Sequence, residues 1–171
     1  MPSPSSYTSL IFLLQHVFSL LSLPINTFLI ILIITKSPPQ LGAYKYLMIF
    51  ISLFEMAYSV LDMVLGPLNM TFGSSFSIVI PISKSYLLSK STLKMLNACY
   101  WGFFGSSLAV FAIHFFYRYL AVKGSDLIET FNSWKIIFLF VPTVISTSVW
   151  MVIAWFIGEA DEKMTAFIRW V

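Results

Sequence analysis

The segment LIFLLQHVFSLLSLPINTFLIILII, residues 10–34, contains no Asp, Glu, Lys or Arg and decides the class of fold. A helix needs about 20 mostly apolar residues to cross the hydrocarbon core of a bilayer. Three later segments also reach this length with few charged residues, at residues 46–65, 93–121 and 135–157. The sequence therefore predicts four membrane spans.

The composition of the whole chain supports this interpretation. Of its 171 residues, 58% are hydrophobic and only 10% are charged, whereas a soluble domain carries about 25% charged residues. Within hydrocarbon, backbone N–H and C=O groups must be paired inside the segment or in a closed barrel. Because the apolar runs do not alternate strictly with polar residues, they favour helices over barrel strands. We expect an all-α membrane protein in which residues 1–171 belong to a single domain.

The first segment is predicted to be a retained span that places the N-terminus outside the cell. Residues 1–9 contain no Lys or Arg, unlike the start of a signal peptide, and the apolar run exceeds the roughly 7–15 residues of a signal h-region. Lys36 and Lys45 follow the span closely, and basic residues beside the first span usually lie in the cytoplasm. This orientation puts the sequon NMT at residues 69–71 outside, which makes Asn69 a candidate glycosylation site.

Two carboxylates of the second span, Glu55 and Asp62, suggest an intramembrane polar centre. They are separated by two helical turns, so both lie on one face of the helix. Acidic residues within a span usually face the bundle interior or a water-filled cavity. Asn26 of the first span lies at the same depth as Glu55, about 15 Å from the basic flank of each span. We hypothesise a hydrogen bond between Asn26 and Glu55, direct or through water, in a centre that either joins helices or binds a ligand or ion.

Two further patterns concern packing of the third and fourth spans. Gly102 and Ser106 form a small-xxx-small pair, which lets a neighbouring helix approach closely. Pro142, followed by the hydroxyl residues of PTVISTS at 142–148, predicts a kink whose freed carbonyls are bonded by hydroxyl groups.

No residue pattern indicates catalysis. His16 and His114 belong to different spans and lack the spacing of metal ligands. The sequence contains neither a glycine-rich phosphate loop nor a GxSxG motif, and it has no basic cluster suited to nucleic acid. We predict that the protein is not an enzyme and that it has no metal, no cofactor and no nucleic-acid partner.

The third span ends in HFFYRYLAV, residues 114–122, in which Tyr117, Arg118 and Tyr119 resemble the Asp/Glu-Arg-Tyr motif of seven-helix receptors. Longer stretches extend the likeness. KSPPQLGAYKYLMIFISLFEMAYSVLD at 36–62 and GFFGSSLAVFAIHFFYRYLAV at 102–122 resemble the second and third helices of nematode serpentine chemoreceptors of class r, the Str family. FNSWKIIFLFVPTVISTSVW at 131–150 resembles the fourth helix of that family.

This resemblance implies a chemosensory G-protein-coupled receptor in the plasma membrane of sensory neurons. Such a receptor detects small odorants or soluble cues and couples to a heterotrimeric G protein. Tyr117, Arg118 and Tyr119 would form the motif that faces the G protein, and Glu55 and Asp62 match acidic positions of the family's second helix.

The family has seven spans, so the chain resembles the N-terminal half of a receptor bundle and is expected to be truncated or a fragment. Two alternatives remain open. In the first alternative, the chain is a four-helix membrane partner of full-length receptors. In the second, it is a small transporter or channel subunit, with Glu55 and Asp62 lining the path.

Overall fold

The computed structural model describes residues 4–72, 75–80, 89–131 and 134–157. The helices, in chain order, are α1 (Pro4–Lys36), α2 (Tyr44–Leu65), α3 (Lys90–Lys123), α4 (Leu127–Phe131) and α5 (Val141–Ile157). Short 3-10 helices at Pro39–Leu41 and Trp134–Phe140 precede α2 and α5.

Four helical segments are long and apolar enough to cross a membrane, which confirms the predicted number of spans. They cover Ser9–Lys36, Tyr44–Leu65, Ser91–Lys123 and Lys135–Phe156. The last of them joins the second 3-10 helix to α5. Large apolar side chains on the outer faces remain exposed, among them Phe18 at 66% and Leu108 at 70%. In a bilayer these faces contact lipid, whose tails are as apolar as the side chains themselves.

The helix boundaries follow from local chemistry. The Ser89 hydroxyl caps α3 by accepting a hydrogen bond of 3.1 Å from the backbone N–H of Thr92. Gly66 ends α2 at φ +53°, and its N–H donates to the Asp62 carbonyl at 2.8 Å. Gly124 ends α3 in the same left-handed conformation at φ +65°. Glycine suits both positions because it has no Cβ to clash there.

The predicted all-α class is confirmed, and a short β-hairpin lies between α2 and α3 in a connection for which no strand was predicted. Strand β1 (Leu68–Phe72) pairs antiparallel with β2 (Ser75–Val79), so that Leu68 faces Val79. Asn69 belongs to β1, but its side chain is outside the described residues, and its glycosylation stays a prediction.

The helices associate as two closely packed pairs. Helix α1 packs along α2 and α3 packs along α5, while α2 and α3 share a smaller contact. A buried cluster of Leu47, Ile113, Tyr117 and Leu139 joins α2, α3 and the fourth span. We call the end of the bundle that contains Lys36, Tyr44 and Arg118 the arginine end. The opposite end, which contains Gly66, the hairpin and Ser89, is the hairpin end.

The fourth span changes helix type where the kink was predicted. Its 3-10 helix ends at Phe140, and Pro142 is the second residue of α5, where a proline is tolerated because the first helical N–H groups need no partner within the helix. The Thr147 and Ser148 hydroxyls donate to the carbonyls of Thr143 and Val144, at 2.8 and 2.9 Å. These carbonyls follow Pro142, so they are not the ones that the proline frees.

Candidate functional site

A row of polar side chains runs between α1 and α2, and we call it the polar seam. Its residues on α1 are Gln15, Ser19, Ser22 and Asn26, and its residues on α2 are Glu55, Ser59 and Asp62. Successive members are three or four residues apart, so each set lies on one face of its helix. Because the two helices are antiparallel, the first residues of the α1 row meet the last residues of the α2 row.

Asp62 is the centre of the seam at the hairpin end. The Gln15 side-chain amide donates to its Oδ1 at 2.9 Å, and the Ser19 hydroxyl donates to Oδ2 at 2.9 Å. The Tyr100 hydroxyl of α3 donates to Oδ1 at 3.4 Å. Both carboxylate oxygens therefore accept hydrogen bonds, and a single side chain connects three helices.

Gln15 also links the seam to the hairpin. Its Nε2 atom donates to the Pro67 carbonyl at 3.1 Å, just before β1 begins. Its Oε1 atom is buried and has no hydrogen-bond partner within the described part of the chain. The same holds for Oδ1 of Asn97, one turn before Tyr100 on α3. Two buried acceptors without donors thus belong to the helices that meet at Asp62.

The middle of the seam differs from the hypothesis for Asn26 and Glu55. Asn26 Nδ2 lies 3.0 Å from the Ser22 carbonyl oxygen and 3.1 Å from its hydroxyl. The Ser59 hydroxyl lies 2.8 Å from the Ser22 hydroxyl and 2.8 Å from the Glu55 carbonyl. Among the described residues, the Asn26 amide therefore bonds within its own helix rather than to the Glu55 carboxyl. The reason is local, because Ser22 offers two acceptors one turn away.

The predicted small residues of α3 lie against α5. A Cβ added to Gly102 would come 2.6 Å from Cγ of Met151, and one added to Gly105 would overlap the indole of Trp150. Ser106 is fully buried, and its hydroxyl lies 2.7 Å from the Gly102 carbonyl oxygen and within hydrogen-bond distance of the Thr147 hydroxyl. Because Thr147 donates its proton to the Thr143 carbonyl, the single Ser106 proton is shared between the Gly102 carbonyl and the Thr147 oxygen. The absence of larger side chains on this face therefore permits the close contact of the two helices.

Aromatic rings fill the space between α2 and its neighbours. The ring centroids of Tyr58 and Tyr100 are 5.2 Å apart, and those of Phe54 and Phe103 are 5.1 Å apart. Toward the arginine end, the Phe50 ring lies 4.3 Å from that of Phe140. These distances are typical of packed aromatic pairs. The rings extend the contact from the Asp62 centre along the bundle.

The arginine end contains a cleft of about 540 Å³. It is lined by Leu41, Gly42, Tyr44, Tyr117, Arg118, Ala121, Val122 and Ile128. Tyr117 is buried and stacks on Tyr44, with ring centroids 5.3 Å apart and an interplanar angle of 21°. The Tyr44 hydroxyl in turn lies 3.3 Å from Nε2 of His114. Arg118, by contrast, is exposed at the cleft.

The three residues of the predicted receptor motif are therefore not equivalent. Tyr117 and Arg118 line the cleft, whereas Tyr119 lies outside it and is 59% exposed. The centroid of the Tyr119 ring is 5.9 Å from the ammonium nitrogen of Lys123. No group of three or more His, Cys, Asp and Glu side chains suited to a metal ion occurs among the described residues.

Comparison with known proteins gives a consistent result. The model of the serpentine type 7TM GPCR chemoreceptor family Str matches residues 11–171. The chain is 39% identical over 156 residues to "G-protein coupled receptor str-217" of Caenorhabditis elegans, which covers 91% of this chain and 45% of that protein. It is 28% identical over 129 residues to "Serpentine receptor class r-10" of the same organism, covering 75% of this chain and 38% of that protein.

The chain thus spans less than half of the length of these curated relatives. No solved structure matches it.

Proposed function

The chain belongs to the serpentine type 7TM GPCR chemoreceptor family Str, and from this premise we propose that it supplies the first four helices of a receptor for small odorant-like molecules. In this proposal the receptor lies in the plasma membrane of sensory neurons, with its N-terminus outside, and couples to a heterotrimeric G protein. Lys36 and Lys45 beside the first span support this orientation.

The G-protein assignment rests on one observation: the Arg118 side chain is exposed, whereas the preceding Tyr117 is buried and stacked on Tyr44. Tyr117 is 4% exposed and packs with Leu47, Ile113 and Leu139, while its ring stacks on Tyr44. The backbone at position 118 is therefore held in place, but the guanidinium remains accessible in the cleft. A rigid planar donor at a fixed position is suited to bind carbonyl or carboxylate groups of a docked protein.

The hairpin end supports the proposed detection of ligands. Small-molecule sites combine apolar and aromatic walls with a few polar groups that fix the orientation of the ligand. Tyr58, which is partly exposed and packs on the buried Tyr100, supplies aromatic surface here, and the side-chain oxygens of Gln15 and Asn97 are acceptors that have no donor among the described residues. In the proposed orientation this end opens to the outside of the cell.

The transporter or channel alternative has less support. It required the Glu55 and Asp62 carboxylates to line a path for a solute. Both oxygens of Asp62 instead accept hydrogen bonds from Gln15, Ser19 and Tyr100, which gives this residue a structural role between helices.

The receptor proposal is tested with a chimera. Residues 1–171 are joined to the C-terminal part of the relative that is 39% identical, and G-protein activation is measured in cultured cells against a panel of small volatile compounds. We expect a ligand-dependent response that Arg118→Ala abolishes without lowering the amount of receptor at the cell surface.

Lys123→Ala is the matched control, because Lys123 is a cation near the same end of α3 but does not line the cleft. We expect it to signal normally. A response that persists in Arg118→Ala, or that Lys123→Ala abolishes equally, would contradict the role given to Arg118.

A further inference from the structure

The cleft at the arginine end combines one guanidinium with apolar walls. Leu41, Ala121, Val122 and Ile128 supply the apolar side chains, and Arg118 supplies the positive charge. Its volume of about 540 Å³ is within the roughly 300–1,000 Å³ that is usual for small-ligand sites. The cleft is therefore suited to a ligand that has both an anionic and an apolar part.

The charges around the cleft favour an anion. The arginine end carries five lysine and arginine residues, Lys36, Lys45, Arg118, Lys123 and Lys135, and two acidic residues, Asp126 and Glu129. None of the residues that line the cleft, all of them within the described part of the chain, is acidic.

Two of the neighbouring lysines are directed elsewhere. The Lys45 ammonium group lies 5.1 Å from the Tyr46 ring, and that of Lys123 lies 5.9 Å from the Tyr119 ring. Neither lysine lines the cleft. Arg118 is thus the cation that an anion inside the cleft would meet.

The position of the cleft relative to the membrane identifies the class of anion. Arg118 is five residues from the end of the span Ser91–Lys123, so it lies near the boundary between hydrocarbon and water. Val122, at the rim, is 91% exposed. A soluble anion such as free phosphate would leave these apolar walls in contact with water, whereas the upper acyl chains of a lipid would cover them.

We propose that this cleft binds the headgroup of an anionic phospholipid. The Arg118 guanidinium donates two N–H groups to the phosphate oxygens, a geometry for which arginine is well suited, and the apolar walls contact the glycerol and upper acyl region. This site goes beyond the proposed receptor function, because it requires neither an odorant nor a G protein. In the proposed orientation it faces the cytoplasmic leaflet, where anionic lipids are concentrated.

The test uses the full chain, purified in mild detergent and incubated with equal amounts of phosphatidylglycerol and phosphatidylcholine that have identical acyl chains. Native mass spectrometry then measures how much of each lipid remains bound. We expect phosphatidylglycerol to bind preferentially. Arg118→Gln should lower its binding about fivefold, which corresponds to about 1 kcal/mol for one basic residue at a membrane surface. It should lower phosphatidylcholine binding less, because that lipid has the same phosphate but the positive choline group makes it neutral overall.

Two variants separate a specific site from general surface charge. Arg118→Lys keeps the charge but loses the paired donors, so its binding should lie between those of the original chain and Arg118→Gln. Lys123→Gln removes a charge outside the cleft and should bind phosphatidylglycerol normally. Equal losses in Arg118→Gln and Lys123→Gln, or no loss in Arg118→Gln, would overturn the proposal.

A third measurement separates a lipid from a soluble phosphate. Glycerol 1-phosphate at the same concentration should not displace phosphatidylglycerol, and full displacement would overturn the assignment of a lipid. Because signalling is not measured in these assays, the lipid site and the receptor function can fail independently of each other.

Discussion

The side-chain amide of Gln15 lies 2.9 Å from a carboxylate oxygen of Asp62, a residue 47 positions later in the chain. With the bonds from Ser19 and Tyr100, this contact joins α1, α2 and α3 at a single carboxylate. Hydrogen bonds between membrane helices contribute about 0.6 kcal/mol each on average, and up to about 1.7 kcal/mol. The two bonds that α1 donates to Asp62 thus contribute about 1 kcal/mol to the association of α1 with α2.

We expect Asp62→Asn to lower the free energy of unfolding by about 1–2 kcal/mol. The amide that replaces one carboxylate oxygen is a donor, so either Gln15 or Ser19 loses its acceptor. The measurement is reversible unfolding in bicelles by titration with SDS. Glu55→Gln is the control, because in the described part of the chain no other helix donates to the Glu55 side chain. A similar loss of unfolding free energy in both variants would show that stability depends on the charge of α2 and not on the hydrogen bonds to Asp62.

Gly105→Ala should destabilise the protein by about 1–3 kcal/mol, the usual cost of an added methyl group in a filled interior. The new Cβ would overlap the rigid indole of Trp150. Gly102→Ala should cost less, because its nearest neighbour is the flexible side chain of Met151. Unfolding in the same bicelles gives the order of the two variants, and Trp150→Leu should restore part of the stability of Gly105→Ala. The reverse order would contradict the packing of α3 on α5.

A double-mutant cycle should detect the hydroxyl pair of Ser106 and Thr147. We expect the free energies of unfolding of Ser106→Ala, Thr147→Val and the double variant to give a coupling of about 0.6 kcal/mol. Ser148 donates to its own helix at Val144, so Ser148→Ala combined with Ser106→Ala should give additive losses. A coupling near zero in the first cycle would mean that each hydroxyl serves only its own helix.

The proposed orientation predicts which thiols are accessible from outside the cell. Cys99 is the single cysteine, so Cys99→Ala provides a background without thiols. In that background Ser91→Cys, near the hairpin end, should react with a membrane-impermeant maleimide on intact cells. Val122→Cys, at a position that is 91% exposed, should react only after the membrane is permeabilised. The opposite labelling pattern would reverse the orientation and place Arg118 outside.

The spans could be predicted from the sequence because length and composition alone determine them. The partners of the polar side chains could not. Depth along the helix correctly suggested that Asn26 and Glu55 lie at one level, as the 4.0 Å distance between the Thr27 hydroxyl and the Met56 sulfur shows. Depth does not tell which acceptor is nearest, and for Asn26 that acceptor is Ser22 in its own helix.

Gln15 shows what signal could have revealed the Asp62 centre. Taken alone, Gln15 only interrupts an apolar run. Taken with Ser19, Ser22 and Asn26, it begins a polar row on one face of α1, which matches the spacing of Glu55, Ser59 and Asp62 on α2. The contribution of Tyr100 has no such signal, because a single tyrosine in an apolar helix is equally suited to packing.

The division of the helices into two closely packed pairs has a consequence for biosynthesis. Helices α1 and α2 leave the ribosome together, and their polar seam can close within the membrane before α3 is made. Helices α3 and α5 can then associate as a second unit through Gly102, Gly105 and Ser106. We therefore expect insertion to proceed as two successive helical hairpins, and the later docking of one on the other to complete the Tyr100–Asp62 bond.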